Sequence, residues 1–132
     1  MAYTIGKTLE KTETNLALLK VLAENSFDSI LVTDATSAGK IIYANKSFKK
    51  LTGYDTAEVI GKSPRILQGV GTDKKVIKRL AVALKSGTNF EGKAINYKKD
   101  GTPFIMFWRV LPIKAGKKIE AWIAIQREGS AI

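Results

Sequence analysis

The apolar residues change period along the chain, and each change marks an element. From Thr8 to about Asn25, Leu9, Leu16, Leu19 and Leu22, with Leu18 and Val21 beside them, recur at helical spacing between Lys and Glu, which predicts an amphipathic N-terminal helix. Ile30-Leu31-Val32-Thr33-Asp34 and Ile41-Ile42-Tyr43-Ala44 are short β-branched runs around Ser37-Ala38-Gly39-Lys40, the pattern of a hairpin. Asn45 is placed to cap a short helix carrying Phe48 and Leu51, and Gly53 to end it. Asp55 with Glu58 makes a second start that Gly61 stops, and Ser63-Pro64 opens a third helical piece through Arg65-Ile66-Leu67-Gln68. After the Gly69-Val70-Gly71 break, Asp73 caps a longer helix to Ser86, with Val76, Ile77, Leu80, Ala81 and Leu84 on one face and Gly87 closing it. The last third alternates as strand: Phe90 to Tyr97, Thr102 to Ile113 and Ile119 to Arg127, divided by Lys99-Asp100-Gly101 and Ala115-Gly116-Lys117 turns.

Two strands, then helices, then three strands predict an α+β domain. Its natural packing is a five-stranded antiparallel sheet with short helices on one face, because each helical stripe must bury against one sheet surface. The expected division is an N-terminal helical segment over 1–26, the domain proper over 27–128 and a tail over 129–132. The leucine stripe of the first helix suits either pairing with a second copy of the chain or packing on the chain's own sheet.

Composition removes chemistry rather than adding it. At 132 residues the chain forms one core, burying roughly two thirds of its unfolded surface. It has no Cys and no His, which excludes disulfides, thiolate nucleophiles, imidazole bases and the common zinc and haem sites. No apolar run approaches the roughly 18 residues of a membrane span, and Met1 to Lys20 lacks the apolar core of a signal peptide, so a cytoplasmic protein away from membranes is expected. Lys and Arg number 22 against 12 Asp and Glu, a net charge of +10, but the lysines lie in scattered pairs (Lys49-Lys50, Lys74-Lys75, Lys98-Lys99, Lys117-Lys118). That spread argues for an acidic partner or a bound phosphate over a nucleic acid.

Several strings have a further meaning together. Ile41-Ile42-Tyr43-Ala44-Asn45 with Phe48 and Leu51-Thr52-Gly53-Tyr54, Glu58 to Lys62, Arg65-Ile66-Leu67-Gln68-Gly69, Asn96 to Phe104, Pro112-Ile113 and Gln126 resemble the PAS domains, and within them the light-oxygen-voltage (LOV) domains that hold a flavin. The resemblance spans Ser29 to Arg127 and implies the PAS fold, a noncovalent FMN or FAD, and a sensory role. It implies that Asn96 faces the pyrimidine edge, that Gln126 reaches O4 and N5, that Arg65 pairs with the ribityl phosphate and that Gln68 touches the ribityl chain. An amide offers donor and acceptor together, as that edge requires, and a guanidinium grips phosphate through paired N–H groups.

The departures from the pattern matter as much. LOV domains carry, just before the matched arginine, a cysteine whose sulfur adds to the flavin; here Pro64 stands there after Ser63, so that adduct cannot form. The Ser-Pro form is also similar to flavin-binding PAS domains of bacterial redox sensors. A second Asn expected ten positions after Asn96 is Met106, and a second phosphate arginine falls at Ala81, with Lys78 and Arg79 offset nearby. Trp108 lies two residues past Met106, on the same face of a strand, where an indole is either packed core or an electron donor to a photoexcited flavin. Trp122, Tyr97, Tyr43 and Phe104 read as core.

The expected function is a photoreceptor or redox sensor working as a homodimer through its N-terminal helix, with a signalling output domain or partner protein and no catalysis of its own. The alternative is a PAS dimerisation module with an empty or non-flavin pocket. A small flavin reductase lacks support, since no nicotinamide fingerprint or spaced acid/base pair occurs.

Overall fold

The computed structural model describes residues 12–130, so the first turn of the expected N-terminal helix and the last two residues of the tail lie outside the described residues. The elements run α1 (Thr12–Glu24), β1 (Ser29–Asp34), β2 (Ile41–Ala44), α2 (Lys46–Thr52), α3 (Thr56–Val59), a 3₁₀ turn (Pro64–Leu67), α4 (Lys74–Ser86), β3 (Phe90–Tyr97), β4 (Pro103–Ala115) and β5 (Lys118–Glu128). All five strands form one antiparallel sheet in the order β2-β1-β5-β4-β3.

The predicted caps form. Asn45 accepts from Phe48 N at 3.1 Å, and Asp73 accepts from Lys75 N at 2.8 Å. Gly53 and Gly87 close α2 and α4 in the left-handed region, where a side chain would be strained. The Ser63-Pro64 opening yields only the 3₁₀ turn, because Gly69-Val70-Gly71 follows before a second turn can close.

Period two assigns the sheet faces. Ser29, Leu31 and Thr33 of β1 lie opposite Gln126, Ala124 and Trp122 of β5, which lie opposite Trp108, Val110 and Pro112 of β4. This inner face carries two apolar clusters, one around Trp108, Phe90 and Met106 and the other around Leu31, Phe48 and Val59, with Ala124 packed against both. The outer face is apolar too, with Val32, Ile123, Ile125, Phe107 and Leu111 half-buried.

Two expectations change. The leucine stripe of α1 does not pack on the sheet: Leu16, Leu19 and Leu22 are 63%, 62% and 60% exposed. The α4 face is also not a simple core face. Val76, Ile77 and Leu80 pack on the Trp108 cluster and Ala83 is buried, but Ala81 and Leu84 are exposed, because α4 stands off the sheet there and leaves an opening.

Candidate functional site

That opening is a cavity of about 500 Å³ between the inner sheet face, α4 and the 3₁₀ turn, a size suited to a small organic ligand. Its sheet wall comprises Leu31 and Thr33 of β1, Trp122, Ala124 and Gln126 of β5, Met106, Trp108 and Val110 of β4, and Asn96 of β3. Facing them are Ile77, Leu80, Ala81, Leu84 and Lys85 of α4 and Ser63, Pro64, Arg65, Leu67 and Gln68 around the turn. Asp34 to Gly39, joining β1 to β2, complete the lining.

Polar side chains are interspersed with the apolar ones of this lining. Asn96 is 3% exposed, and its Nδ2 has no hydrogen-bond partner among the described residues. A buried amide donor left unsatisfied costs roughly 1–3 kcal/mol, so it marks a position shaped for something other than the chain itself. Gln126, also 3% exposed, accepts from Ser29 Oγ through Oε1 at 3.0 Å, which leaves its Nε2 without a partner among the described residues. Both amide residues line the one cavity, Asn96 from β3 and Gln126 from β5.

The lining also carries two cations, Arg65 and Lys85, and neither enters an ion pair among the described residues. The acid of the lining is Asp34, whose Oδ1 accepts from Thr36 Oγ1 at 2.7 Å, Thr36 N at 3.2 Å and Lys40 N at 3.1 Å. Chiefly the Thr36 hydroxyl, with the two backbone N–H groups, holds this carboxyl below its ordinary range.

Local sequence fixes the mouth. Ser63 Oγ accepts from Arg65 N at 3.2 Å, setting the turn that presents Arg65. Beyond Gln68 the chain lies directly on Tyr97: a Cβ at Gly69 would fall 2.4 Å from the Tyr97 ring, and Tyr97 Oη accepts from Gly71 N at 2.7 Å. Thr72 Oγ1 donates to Ile95 O at 2.7 Å and accepts from Gly69 N at 3.0 Å, lashing the loop to β3. Glycine is needed at 69 because no side chain fits between backbone and ring.

Arg65, Gln68, Asn96, Met106, Gln126, Ser63 and Trp108, the residues singled out in the sequence, all line this one cavity. Trp122, read as core, lines it as well, and so does Lys85 of α4. Counting back by twos from Gln126 gives Ala124 and Trp122, so that signal was present, whereas an exposed helical lysine such as Lys85 carries none. Ser29 carried no such signal, since its role depends on cross-strand register. No cluster of three or more metal-ligating side chains occurs among the described residues, and no helix there is long and apolar enough to cross a membrane.

Comparison with known proteins agrees with this geometry. The sequence profile of the PAS domain family matches residues 28–130. The chain is 44% identical over 87 residues to "Phototropin-1A" of Oryza sativa subsp. japonica, covering 65% of this chain and 9% of that protein. Over 74 residues it is 45% identical to a blue-light-activated histidine kinase of Brucella anthropi, covering 56% of this chain and 15% of that protein. The solved LOV domain of a blue-light activated histidine kinase from Erythrobacter litoralis EL346 aligns with a TM-score of 0.73 at 29% identity, over 76% of this chain and 94% of that one. The matched part is thus a small fraction of the curated relatives and most of the isolated domain.

Proposed function

This chain belongs to the PAS domain family, and from that premise we propose that it is a LOV-like sensory module holding a flavin noncovalently and reporting its redox or photoreduced state without a cysteinyl bond. The observation that carries this reading is that one cavity is lined both by Asn96, whose buried Nδ2 has no partner among the described residues, and by Gln126, whose Oε1 is held by Ser29. The pyrimidine edge of a flavin presents two carbonyls flanking an N–H, and amides on two strands suit it. Arg65 and Gln68 at the mouth suit the ribityl phosphate, Ser63 orders the turn that presents them, and Met106 and Trp108 offer apolar contact to a flat ring system.

A bound flavin would supply reversible electron chemistry coupled to proton uptake at N5. Gln126 is the residue able to respond, because its amide presents an acceptor in one orientation and a donor in the other. Turning the amide would withdraw Oε1 from Ser29, the first residue of β1. Next to it, Ile30 N donates to Asn45 Oδ1 at 2.8 Å, while Asn45 Nδ2 donates to Ala23 O at 2.7 Å. The route from cavity to α1 would run through these hydrogen bonds and the Ser29–Ile30 backbone between them, and the exposed leucines of α1 offer a second copy of the chain a surface to pair with. In this reading the domain is a sensor for an attached or separate output and catalyses nothing itself.

The test is an absorption spectrum of the purified chain with mass spectrometry of the released ligand, before and after blue light and chemical reduction. A structured flavin band in the blue, bleaching reversibly, supports the reading. A colourless protein that fails to take up added flavin overturns it and favours a dimerisation module, the reading that the exposed α1 stripe supports by itself.

A further inference from the structure

Five cations, Lys74, Lys75, Lys78, Arg79 and Lys85, stand exposed on α4, whose 13 residues include no acid. The helix carries them against its own stability. Lys74 and Lys75 occupy its first turn, where the macrodipole disfavours positive charge, and Lys74–Lys78 and Lys75–Arg79 are like-charge pairs at the i,i+4 spacing. None of the five enters an ion pair among the described residues; the pairs found there use Lys49, Lys98, Lys99, Arg109 and Arg127 instead. At 3.6 residues per turn the cations occupy one arc of about 140°, and Val82, 60% exposed, falls near its middle. Arg79 lies over the Phe90 ring at 5.2 Å, which sets the border of the arc toward β3.

We propose that this face of α4 is a docking surface for an acidic amphipathic helix of a partner protein, with acids to meet the cations and an apolar side chain to cover Val82. An apolar centre inside a charged rim is the anatomy of a protein interface, and opposite charge relieves the repulsion that α4 bears alone. A nucleic-acid backbone makes no use of Val82, and no aromatic stands among the cations to stack on bases. A second copy of the chain is a poor match: five of its acids are in ion pairs, and Asp34, Asp73 and Asp100 accept from backbone N–H groups. From Lys74 to Lys85 the cations extend about 16 Å along the axis, a span that three turns of a partner helix match. The inner side of α4 supplies Ile77 and Leu80 to the cavity lining, so a partner seated here bears on the back of a cavity wall. The surface goes beyond the flavin reading and does not depend on it.

The experiment follows the anisotropy of a fluorescein-labelled helical peptide, with glutamates at i and i+4 around one leucine, titrated with the full chain at low and at moderate salt. Binding is expected, and it weakens as salt rises. Lys74→Glu with Lys75→Glu lowers the affinity by roughly tenfold or more. Lys117→Glu with Lys118→Glu makes the same change of net charge at the exposed β4–β5 turn and lowers it by less than about twofold. The α4 double variant melts no lower than the unaltered chain, because its acids suit the first turn and precede Lys78 and Arg79 by four residues, so its lost binding is not lost folding. Val82→Ser weakens this peptide severalfold and leaves unchanged a peptide with glutamine in place of the leucine. Equal losses in the two double variants, no binding at low salt, or unaltered affinity in Val82→Ser each overturn the proposal. So does tighter binding of a short DNA duplex or of phosphatidylcholine–phosphatidylserine vesicles to the same face, which would assign it to nucleic acid or to a membrane. The assay contains no flavin, so its failure and a failure of the absorption test are distinct results.

Discussion

Ser29 Oγ donates to Gln126 Oε1 at 3.0 Å, across the β1–β5 register and with both residues buried. The same two residues border a second, smaller cleft of about 220 Å³, lined also by Ser47, Lys50 and Arg127, so Gln126 forms a wall between that cleft and the main cavity. The hydroxyl satisfies an amide carbonyl that has no other partner among the described residues and fixes which end of the amide is spare.

Replacing Ser29 by Ala therefore leaves a buried acceptor unpaired. We expect Ser29→Ala to lower the unfolding free energy by about 1–2 kcal/mol, read as a drop in the urea midpoint at unchanged slope. With the amide free to invert, the absorption band of bound flavin should shift from its position in the unaltered protein. Ser29→Thr keeps the hydroxyl and should retain both properties; an identical spectrum in Ser29→Ala would show that the bond does not orient Gln126.

Asn96 yields effects of opposite sign on stability and binding. Its Nδ2 is buried without a partner among the described residues, so Asn96→Leu should stabilise the ligand-free chain by roughly 1 kcal/mol. The same change removes an amide from the cavity and should weaken flavin binding severalfold. Thermal melting with and without FMN reads both at once: the variant should melt higher alone and gain less from ligand. A lower melting temperature for the ligand-free variant would mean that Asn96 has a structural task.

The fold was largely legible because caps and periods are local. Asn45, Asp73, Gly53 and Gly87 act within a few residues of themselves, so their roles survive reading in one dimension. The cavity walls were partly legible for the same reason: Met106 and Trp108, or Gln126 and Trp122, share a face by counting in twos. The Ser29–Gln126 bond was not legible, since it depends on register between strands 97 residues apart in sequence. Lys85 was missed because an exposed lysine on a helix looks the same whether its neighbour is water or an opening, and Ala81 and Leu84 read as core because periodicity cannot tell a packed face from one that fronts a cavity. The exposed stripe of α1 has that same ambiguity: periodicity identifies an apolar face but not what covers it.

Acid should loosen the cavity mouth. The Asp34 carboxylate, held below its ordinary 3.8 chiefly by the Thr36 hydroxyl, pins the segment between β1 and β2 through Thr36 and Lys40. A carboxyl depressed on folding contributes stability that is present above the unfolded value and is lost as pH falls through the lower folded value. Stability should thus decline below about pH 4, and Asp34→Asn should flatten that part of the profile. Urea unfolding of both proteins across the acid range measures the difference; parallel curves would remove Asp34 from the account.

Self-association should depend on α1. Leu16, Leu19 and Leu22 lie exposed on this helix, and a water-facing leucine stripe is most simply buried by another copy. Exchanging Leu19 and Leu22 for Glu should shift the protein toward monomer in sedimentation experiments while leaving the fold intact, since neither residue is buried in the domain. A dimer that persists unchanged would assign the interface elsewhere, with the apolar outer sheet face as the next surface to test.

Asn45 should tie that helix to the sheet. It is fully buried; Oδ1 accepts from Ile30 N and Phe48 N, and Nδ2 donates to Ala23 O and Asp28 O. Asn45→Ala removes a helix cap and strands buried backbone groups, at a cost of about 3 kcal/mol. Asn45→Asp separates the two halves of the role, because a carboxylate still accepts from Ile30 and Phe48 but no longer donates to Ala23 and Asp28. Amide hydrogen exchange should then show α2 protected as before and the last turn of α1 exchanging faster. If the proposed route from Gln126 runs through this residue, Asn45→Asp should also uncouple flavin reduction from any change in α1 while leaving the flavin spectrum unaltered. A redox-dependent change in α1 exchange that survives the substitution would place the route along another path.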